Sequence, residues 1–190
     1  QVGSSSNARF ANATVAVGHK SLEALTTGTN NTAVGYLALN SNATGTGNVA
    51  LGTNALKGGG NCSHNIAVGA SSLFSVTTGS QNIVIGGSAG YALSNSSYNV
   101  LIGHGAGNVI ANNQTTTDGT TAVGNMALSA LTSGAGNTAV GYNSNQYNQT
   151  GSQNTYVGYA SGLGVSGNSH STNTAVGYFT LKDVTTGGAN

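Results

Sequence analysis

The sequence repeats with a period of 17 residues. A glycine closes a triplet such as Ala-Val-Gly once per period, and seven of the nine spacings between successive copies are 17, the other two being 21 and 19. These repeat glycines are Gly18, Gly35, Gly52, Gly69, Gly86, Gly103, Gly124, Gly141, Gly158 and Gly177. Such a period is typical of solenoids, in which a repeat buries a core only by stacking on its neighbours.

Each repeat contains one short predicted β-strand. The residue three before the glycine is Val, Ile or Thr in every copy, and the residue one before it is Val, Ile or Leu. β-Branched residues favour strands, and side chains two apart on a strand share a face. We therefore expect both columns to point into the solenoid, so that Val34, Leu51 and Val68 belong to one internal file.

The residue between these two columns is Ala in seven of ten copies and Val84, Leu101 or Tyr156 in the others. It points to the opposite face of the strand, where a strand with one wet face would carry polar residues. Its apolar character predicts a second buried face, formed against another chain. The alternative interpretation is that alanine merely tolerates exposure.

Other columns predict the return side of each coil and its turns. Aliphatic residues recur four after the glycine (Leu22, Leu39, Leu56, Leu73, Leu128, Leu181) and seven after it (Leu25, Val76, Leu93, Ile110, Leu131, Val165, Val184). Asparagine stands four before the glycine in eight of ten copies, which predicts a stacked amide ladder. Ten after the glycine, residues that tolerate a left-handed backbone prevail: Gly28, Gly45, Gly79, Asn113, Gly134, Gly151, Asn168 and Gly187.

The predicted fold is all-β, a parallel β-solenoid or β-roll of about ten 17-residue coils. Ten coils spaced by about 4.8 Å would form a rod about 48 Å long. Residues 1–190 form a single repeat array, with a partial first coil at 1–13 and insertions near 112–118 and 166–172. Neither end carries a polar cap, so we interpret the sequence as a segment of a longer protein.

Charge is scarce, which limits the partners that the chain is expected to have. Only 4% of residues are charged, and the basic ones, Arg9, Lys20, Lys57 and Lys182, are scattered. They form no basic stripe for nucleic acid, and no apolar run approaches the length of a membrane span. We therefore expect no nucleic-acid binding and no membrane insertion.

The chemistry-bearing residues do not converge. The three acids, Glu23, Asp118 and Asp183, fall in different columns, so no carboxylate pair is expected. His19 and His104 share a column but stand five coils apart, too far to share a metal ion. The sequence therefore predicts no catalytic, metal or cofactor site, and a protein that is not an enzyme.

Surface contacts are predicted at two kinds of position. Tyr36, Tyr142, Tyr159 and Tyr178 directly follow the repeat glycine and would form an exposed aromatic stripe, suited to carbohydrate or protein contact; the alternative is packing at a coil corner. Asn113, Asp118 and His170 lie in or beside the insertions, which should bulge from the rod. Loops of this kind often carry binding on a repeat scaffold.

The repeat units themselves resemble a known group of fibre proteins. The segments NNTAVGYLAL, GNVALGTNAL, GNTAVGYNS and TNTAVGYFTL are similar to the head repeats of YadA-like trimeric autotransporter adhesins. They are more similar still to the Asn-Thr-Ala-Val-Gly-Tyr arrays of bacteriophage tail fibres and related bacterial fibre proteins. The resemblance implies a parallel β-roll in each chain and a homotrimer around a long axis. The steady 17-residue unit departs from the adhesin heads, whose repeats are usually shorter.

From the repeat and the resemblance together we expect an extracellular structural shaft, on a virion tail fibre or a bacterial surface. In the first interpretation the shaft presents a host-recognition tip. In the alternative, an adhesin head binds surfaces, matrix, or a cell-surface glycan or protein receptor directly. An ice-binding solenoid is disfavoured, because Thr fills only half of one strand column.

Overall fold

The protein is described by a computed structural model over residues 13–109 and 117–189. Ten three-residue strands occur there: β1 (Val15–Val17), β2 (Thr32–Val34), β3 (Val49–Leu51), β4 (Ile66–Val68), β5 (Ile83–Ile85), β6 (Val100–Ile102), β7 (Thr121–Val123), β8 (Thr138–Val140), β9 (Thr155–Val157) and β10 (Thr174–Val176). Each pairs in parallel with the next, giving one ten-stranded sheet in sequential order. No helix occurs in these two ranges. The predicted parallel β-solenoid is confirmed.

The strands remain in register wherever the repeat lengthens. Val100 pairs with Thr121 and Thr155 pairs with Thr174, so equivalent residues stay aligned across spacings of 21 and 19 residues. We number each coil by its strand. The extra residues of coil nine form a turn at 166–167 that is exposed, as predicted. Most of the predicted insertion near 112–118, including Asn113, lies outside the described residues, as does the partial first coil before Ala13.

The orientation predicted for the strands is wrong. The middle residue of each strand points into the coil, and most of this inner strand file is fully buried: Ala33, Ala50, Ala67, Val84, Leu101, Ala122, Ala139 and Tyr156. The residues on either side point outward and are exposed or half-buried. Val34, Leu51 and Val68 do stack on one another, but on the outside of the sheet. The alanines are therefore covered by their own chain and not by another.

The thinness of the core explains why alanine faces inward. Opposite the inner strand file lies a leucine file, four residues after each repeat glycine, in which Leu22, Leu39, Leu56, Leu73 and Leu128 are buried. Where the strand residue is larger, as in Val84, Leu101 and Tyr156, the leucine position of the same coil is glycine: Gly90, Gly107 and Gly162. A Cβ on Gly90 would lie 3.0 Å from Leu101 Cδ1 and 3.4 Å from Val84 Cγ1. A large residue in one file is therefore matched by a small residue in the other, so the narrow interior of each coil stays filled.

The asparagine file forms the predicted ladder. Asn48 donates from its backbone N and from Nδ2 to Oδ1 of Asn31, at 2.9 and 3.1 Å, and the pattern repeats between Asn65 and Asn48. Nδ2 of Asn48 also donates to the carbonyl of Cys62, at 2.9 Å. The amides are fully buried, so each coil supplies the hydrogen bonds that its neighbour's corner requires.

Glycine has two different roles in the coil. The repeat glycines adopt positive φ, 127° at Gly18 and 140° at Gly35, and a Cβ on Gly18 would lie 2.5 Å from the carbonyl oxygen of Gly35. The positive φ predicted ten residues later is found at Gly134 and Gly187, at 107° and 106°, but the prediction is wrong at Gly28, Gly45 and Gly79. Glycine is favoured there because a Cβ would collide with a carbonyl of the next coil.

Candidate interaction surfaces

The outer face of the sheet is apolar and uncovered. Its two files follow the first and third residues of the strands, and eight of their aliphatic side chains have between 37 and 69% of their surface exposed: Val15, Val17, Val34, Leu51, Ile66, Ile83, Ile85 and Val176. Parallel sheets in proteins almost always have both faces covered. Contiguous apolar surfaces of this kind mark interaction sites in many proteins, which makes this face a candidate interaction surface.

This outer sheet face changes in character along the rod. The first file carries Val49, Ile66, Ile83 and Val100 in coils three to six, whereas coils seven to ten carry Thr at that position. The third-residue file stays aliphatic throughout, from Val17 to Val176. The apolar area is therefore largest in the first six coils.

The predicted aromatic stripe is exposed, and its rings stack on each other. Tyr142 and Tyr159 lie 5.2 Å apart between ring centroids with planes 11° from parallel, and Tyr159 and Tyr178 are separated by 5.4 Å. Tyr36 stacks on His19 at the other end of the rod. Because the ring faces contact one another, the edges and hydroxyl groups are what the stripe presents to a partner.

A second aromatic stack, which the repeat glycines and tyrosines do not predict, lies on coils four and five. The rings of Phe74 and Tyr91 lie 4.8 Å apart and nearly parallel, and Lys57 Nζ stands 5.2 Å from the Phe74 centroid. All three residues stand five after a repeat glycine, so their shared column was the available signal. The same column holds Glu23, Asn40 and Gln146 in other coils. Because its residue types vary, the column does not by itself predict an aromatic stack.

Asp118, predicted as a surface contact, is half-buried and serves as a backbone acceptor. Its Oδ1 accepts a hydrogen bond from Ser97 N at 2.8 Å. It completes a series in which Ser63, Ser80 and Ser97 each accept from the backbone N of the preceding coil, over distances of 3.0, 3.2 and 3.0 Å. The carboxylate therefore has a structural role in this position.

His170 was also predicted as a surface contact, and this prediction is wrong because the side chain is buried, with 2% of its surface exposed. Its Nδ1 lies 3.0 Å from Tyr156 Oη, and the two rings meet edge to face at 5.6 Å. Burial lowers the pKa of His170 and raises that of Tyr156 to about 12. Both side chains are therefore neutral at neutral pH.

The few charges contribute little to these surfaces. Lys20 and Glu23 form an exposed ion pair at 3.5 Å, and Glu23, whose pKa is lowered mainly by a hydrogen bond from Asn40, remains ionised near neutral pH. Among the described residues, no group of three or more His, Cys, Asp or Glu side chains could hold a metal ion. In the same ranges, no helix has the length and hydropathy needed to cross a membrane.

The fold and its surfaces define a class of protein: a parallel β-solenoid whose sheet presents an uncovered apolar face along its length. Comparisons with protein families, with curated proteins and with solved structures gave no match to this chain.

Proposed function

We propose that the chain is the structural shaft of an extracellular fibre in which three copies associate along their outer sheet faces. The uncovered apolar face carries the proposal. Ile66, Ile83 and Ile85 project from adjacent strands, and a second copy would remove them from water. Full burial of an exposed aliphatic side chain is worth about 1.5–3 kcal/mol, and because Ile66, Ile83 and Ile85 have between 37 and 39% of their surface still exposed, each would add roughly 0.6–1.2 kcal/mol. Summed along the rod, this is a substantial driving force for association.

Three copies are preferred to two because of the repeat resemblance. The sequence units resemble those of trimeric fibre proteins, and three sheets facing a common axis would cover one another fully. In this arrangement the tyrosine stripe would lie at the edge of each interface. The function is mechanical and non-enzymatic: three rods of stacked coils resist bending and present an attached tip in three copies.

The test is the mass of the chain in solution, measured by sedimentation velocity. We expect a species of three times 18.5 kDa that persists at micromolar concentration. Replacing Ile66 and Ile83 by Lys should give monomers, since the two charges would be buried at the interface. The matched control replaces Thr78 by Lys, on an exposed polar column of the same coils, and should remain a trimer. A native chain that sediments as a monomer would refute the proposal.

A bacteriophage tail fibre is the first choice within this class, because the repeat units resemble those fibres most. The second candidate is a bacterial adhesin head whose sides bind matrix or glycan, favoured by the exposed ring stack of Tyr142, Tyr159 and Tyr178. Binding of the fluorescently labelled chain to bacterial and animal cells and to a glycan array separates the two. A shaft should bind none of them. An adhesin should bind, and should lose binding when the three tyrosines are replaced by Ser.

A further inference from the structure

Coil nine contains a buried polar pair that departs from the repeat at two positions. Tyr156 stands in the inner strand file, where most coils have Ala, and His170 stands three residues before Asn173, where Gly28, Gly45 and Gly151 precede their asparagines. The phenol and the imidazole are joined by the 3.0 Å hydrogen bond between Oη and Nδ1. The exposed turn at 166–167, formed by the extra residues of coil nine, precedes His170 by three residues.

The His170 corner also connects coil nine to coil eight. Its backbone N donates to Asn148 Oδ1 at 3.3 Å, and its carbonyl accepts from Asn148 Nδ2 at 3.2 Å and from Asn154 Nδ2 at 2.8 Å. Asn154 belongs to the asparagine ladder, which continues to Asn173. Displacement of His170 would therefore break contacts on both sides of this corner.

The imidazole is placed where it cannot carry charge. Its Nε2 is buried and has no hydrogen-bond partner. Its ring hydrogen-bonds to the neutral phenol of Tyr156, and its backbone carbonyl accepts from the amides of Asn148 and Asn154. On the next coil, Asp183 lies at the surface, 4.0 Å from Lys182. Protonation would leave an N–H⁺ group in the core facing no acceptor, which is strongly unfavourable.

We propose that His170 and Tyr156 form an acid-sensitive contact: protonation of the imidazole opens coils eight to ten while the earlier coils stay paired. Strand pairing involves sequential neighbours alone, so part of the rod can open without the rest. The folded state favours neutral His170, whereas the opened chain binds a proton near the ordinary pKa of 6.5. Stability is therefore complete above about pH 6.5 and is lost as the pH falls below it, down to the lowered pKa of the folded state.

Hydrogen–deuterium exchange of the full chain, followed by mass spectrometry between pH 7.5 and 5, tests the proposal. After correction for the intrinsic exchange rate, amides of residues 138–189 should lose protection by up to about tenfold per pH unit below 6.5. Amides of residues 30–100 should not change. The control replaces exposed His64 by Gln, the residue at the equivalent positions 81 and 153, and should keep the native response.

Two variants identify the responsible group. His170→Gly places glycine at this corner, as at the equivalent position Gly151. The triple change Tyr156→Ala, Gly162→Leu, His170→Gly gives coil nine the residues of the regular coils at these three positions, and it provides a folded variant for comparison. Both should exchange independently of pH. The proposal is overturned if the native chain shows no acid response, if either folded variant keeps it, or if the loss of protection extends equally over coils one to six.

Discussion

The ring of Tyr156 occupies the space that a side chain at Gly162 would need. A Cβ on Gly162 would overlap Cγ, Cδ1 and Cε1 of that ring, whereas the equivalent position holds a buried leucine in coils one to four and seven. Gly162 also has φ of 60°, a conformation that Leu56 adopts with φ of 53°. The backbone therefore permits leucine at this position, and the tyrosine ring alone excludes it.

This relationship predicts strong coupling between the two residues. Gly162→Leu should destabilise the chain severely through overlap, and Tyr156→Ala should cost about 3–5 kcal/mol through the cavity that it leaves. The double variant reproduces the Ala–Leu pair of coil three, so it should be more stable than Gly162→Leu alone. Denaturant unfolding of the four proteins measures the coupling, and strictly additive effects would contradict the proposed matching of large and small residues.

Thr120→Asn should stabilise the chain. Thr120 takes the place of an asparagine in the ladder, where its backbone N donates to Asn99 Oδ1 at 3.0 Å, but its hydroxyl is buried without a partner. An amide at this position can donate to Asn99 and accept from Asn137, which should raise the free energy of unfolding by about 1 kcal/mol.

The reciprocal change provides the control for this prediction. Asn65→Thr interrupts the ladder within coils that are otherwise regular, and it should lower the free energy of unfolding by about 1–3 kcal/mol. Thermal unfolding followed by circular dichroism measures both variants. Equal stability of Thr120→Asn and the native chain would show that the ladder contributes nothing across this break.

Asn145→Leu should also stabilise the chain. Asn145 stands in the leucine file with its side chain fully buried, and neither its Oδ1 nor its Nδ2 has a partner. Leucine would remove the cost of two unpaired polar atoms, about 1–3 kcal/mol, and would restore the contacts found at Leu128 in the coil before.

A neighbouring asparagine separates this effect from a general preference for apolar residues. Asn148 is equally buried, but its Oδ1 accepts from Gly151 N at 3.1 Å and its Nδ2 donates to the His170 carbonyl. Asn148→Leu should therefore destabilise the chain, whereas Asn145→Leu stabilises it. Chemical denaturation of both variants gives the signs directly, and a shared sign would refute the distinction.

Cys62 should be unreactive until the chain unfolds. Its thiol is fully buried, and burial raises its pKa to about 11 from an ordinary value of 9.0. At pH 8 the native chain should react with iodoacetamide far more slowly than the chain in denaturant, because the thiolate is the nucleophile. Above pH 9 the unfolded chain loses this proton and the folded chain keeps it, so stability should decline between about pH 9 and 11. Cys62→Ser should remove that part of the decline.

Much of the architecture was predictable from the spacing alone. Strand positions, parallel order and the asparagine ladder all follow from stacking residues 17 apart. The spacing did not show which face of the sheet is buried. Alternation shows which residues share a face, but both faces of Val49–Leu51 are apolar, so alternation could not decide which one is buried.

A different signal in the sequence could have decided the matter. Ala50 is matched by Leu56, and Leu101 is matched by Gly107, so the sizes at these two columns compensate within each coil. Compensation of this kind is expected only between residues that share one confined space. The surface position predicted for His170 was wrong because the extension changes the count of residues within coil nine. Counted forward from Gly158, His170 falls in the extension, whereas counted back from Asn173 it falls on the buried corner.

The unbroken register between successive strands has a consequence for how such a protein changes over time. Val34 pairs with Leu51 in the same way that Leu51 pairs with Val68, so duplicating or deleting one complete 17-residue unit preserves the register of strand pairing. Each such event would lengthen or shorten the rod by about 4.8 Å. The length of the rod can therefore change in small, uniform steps through unequal recombination within one gene. Such changes need not alter any domain attached to the rod.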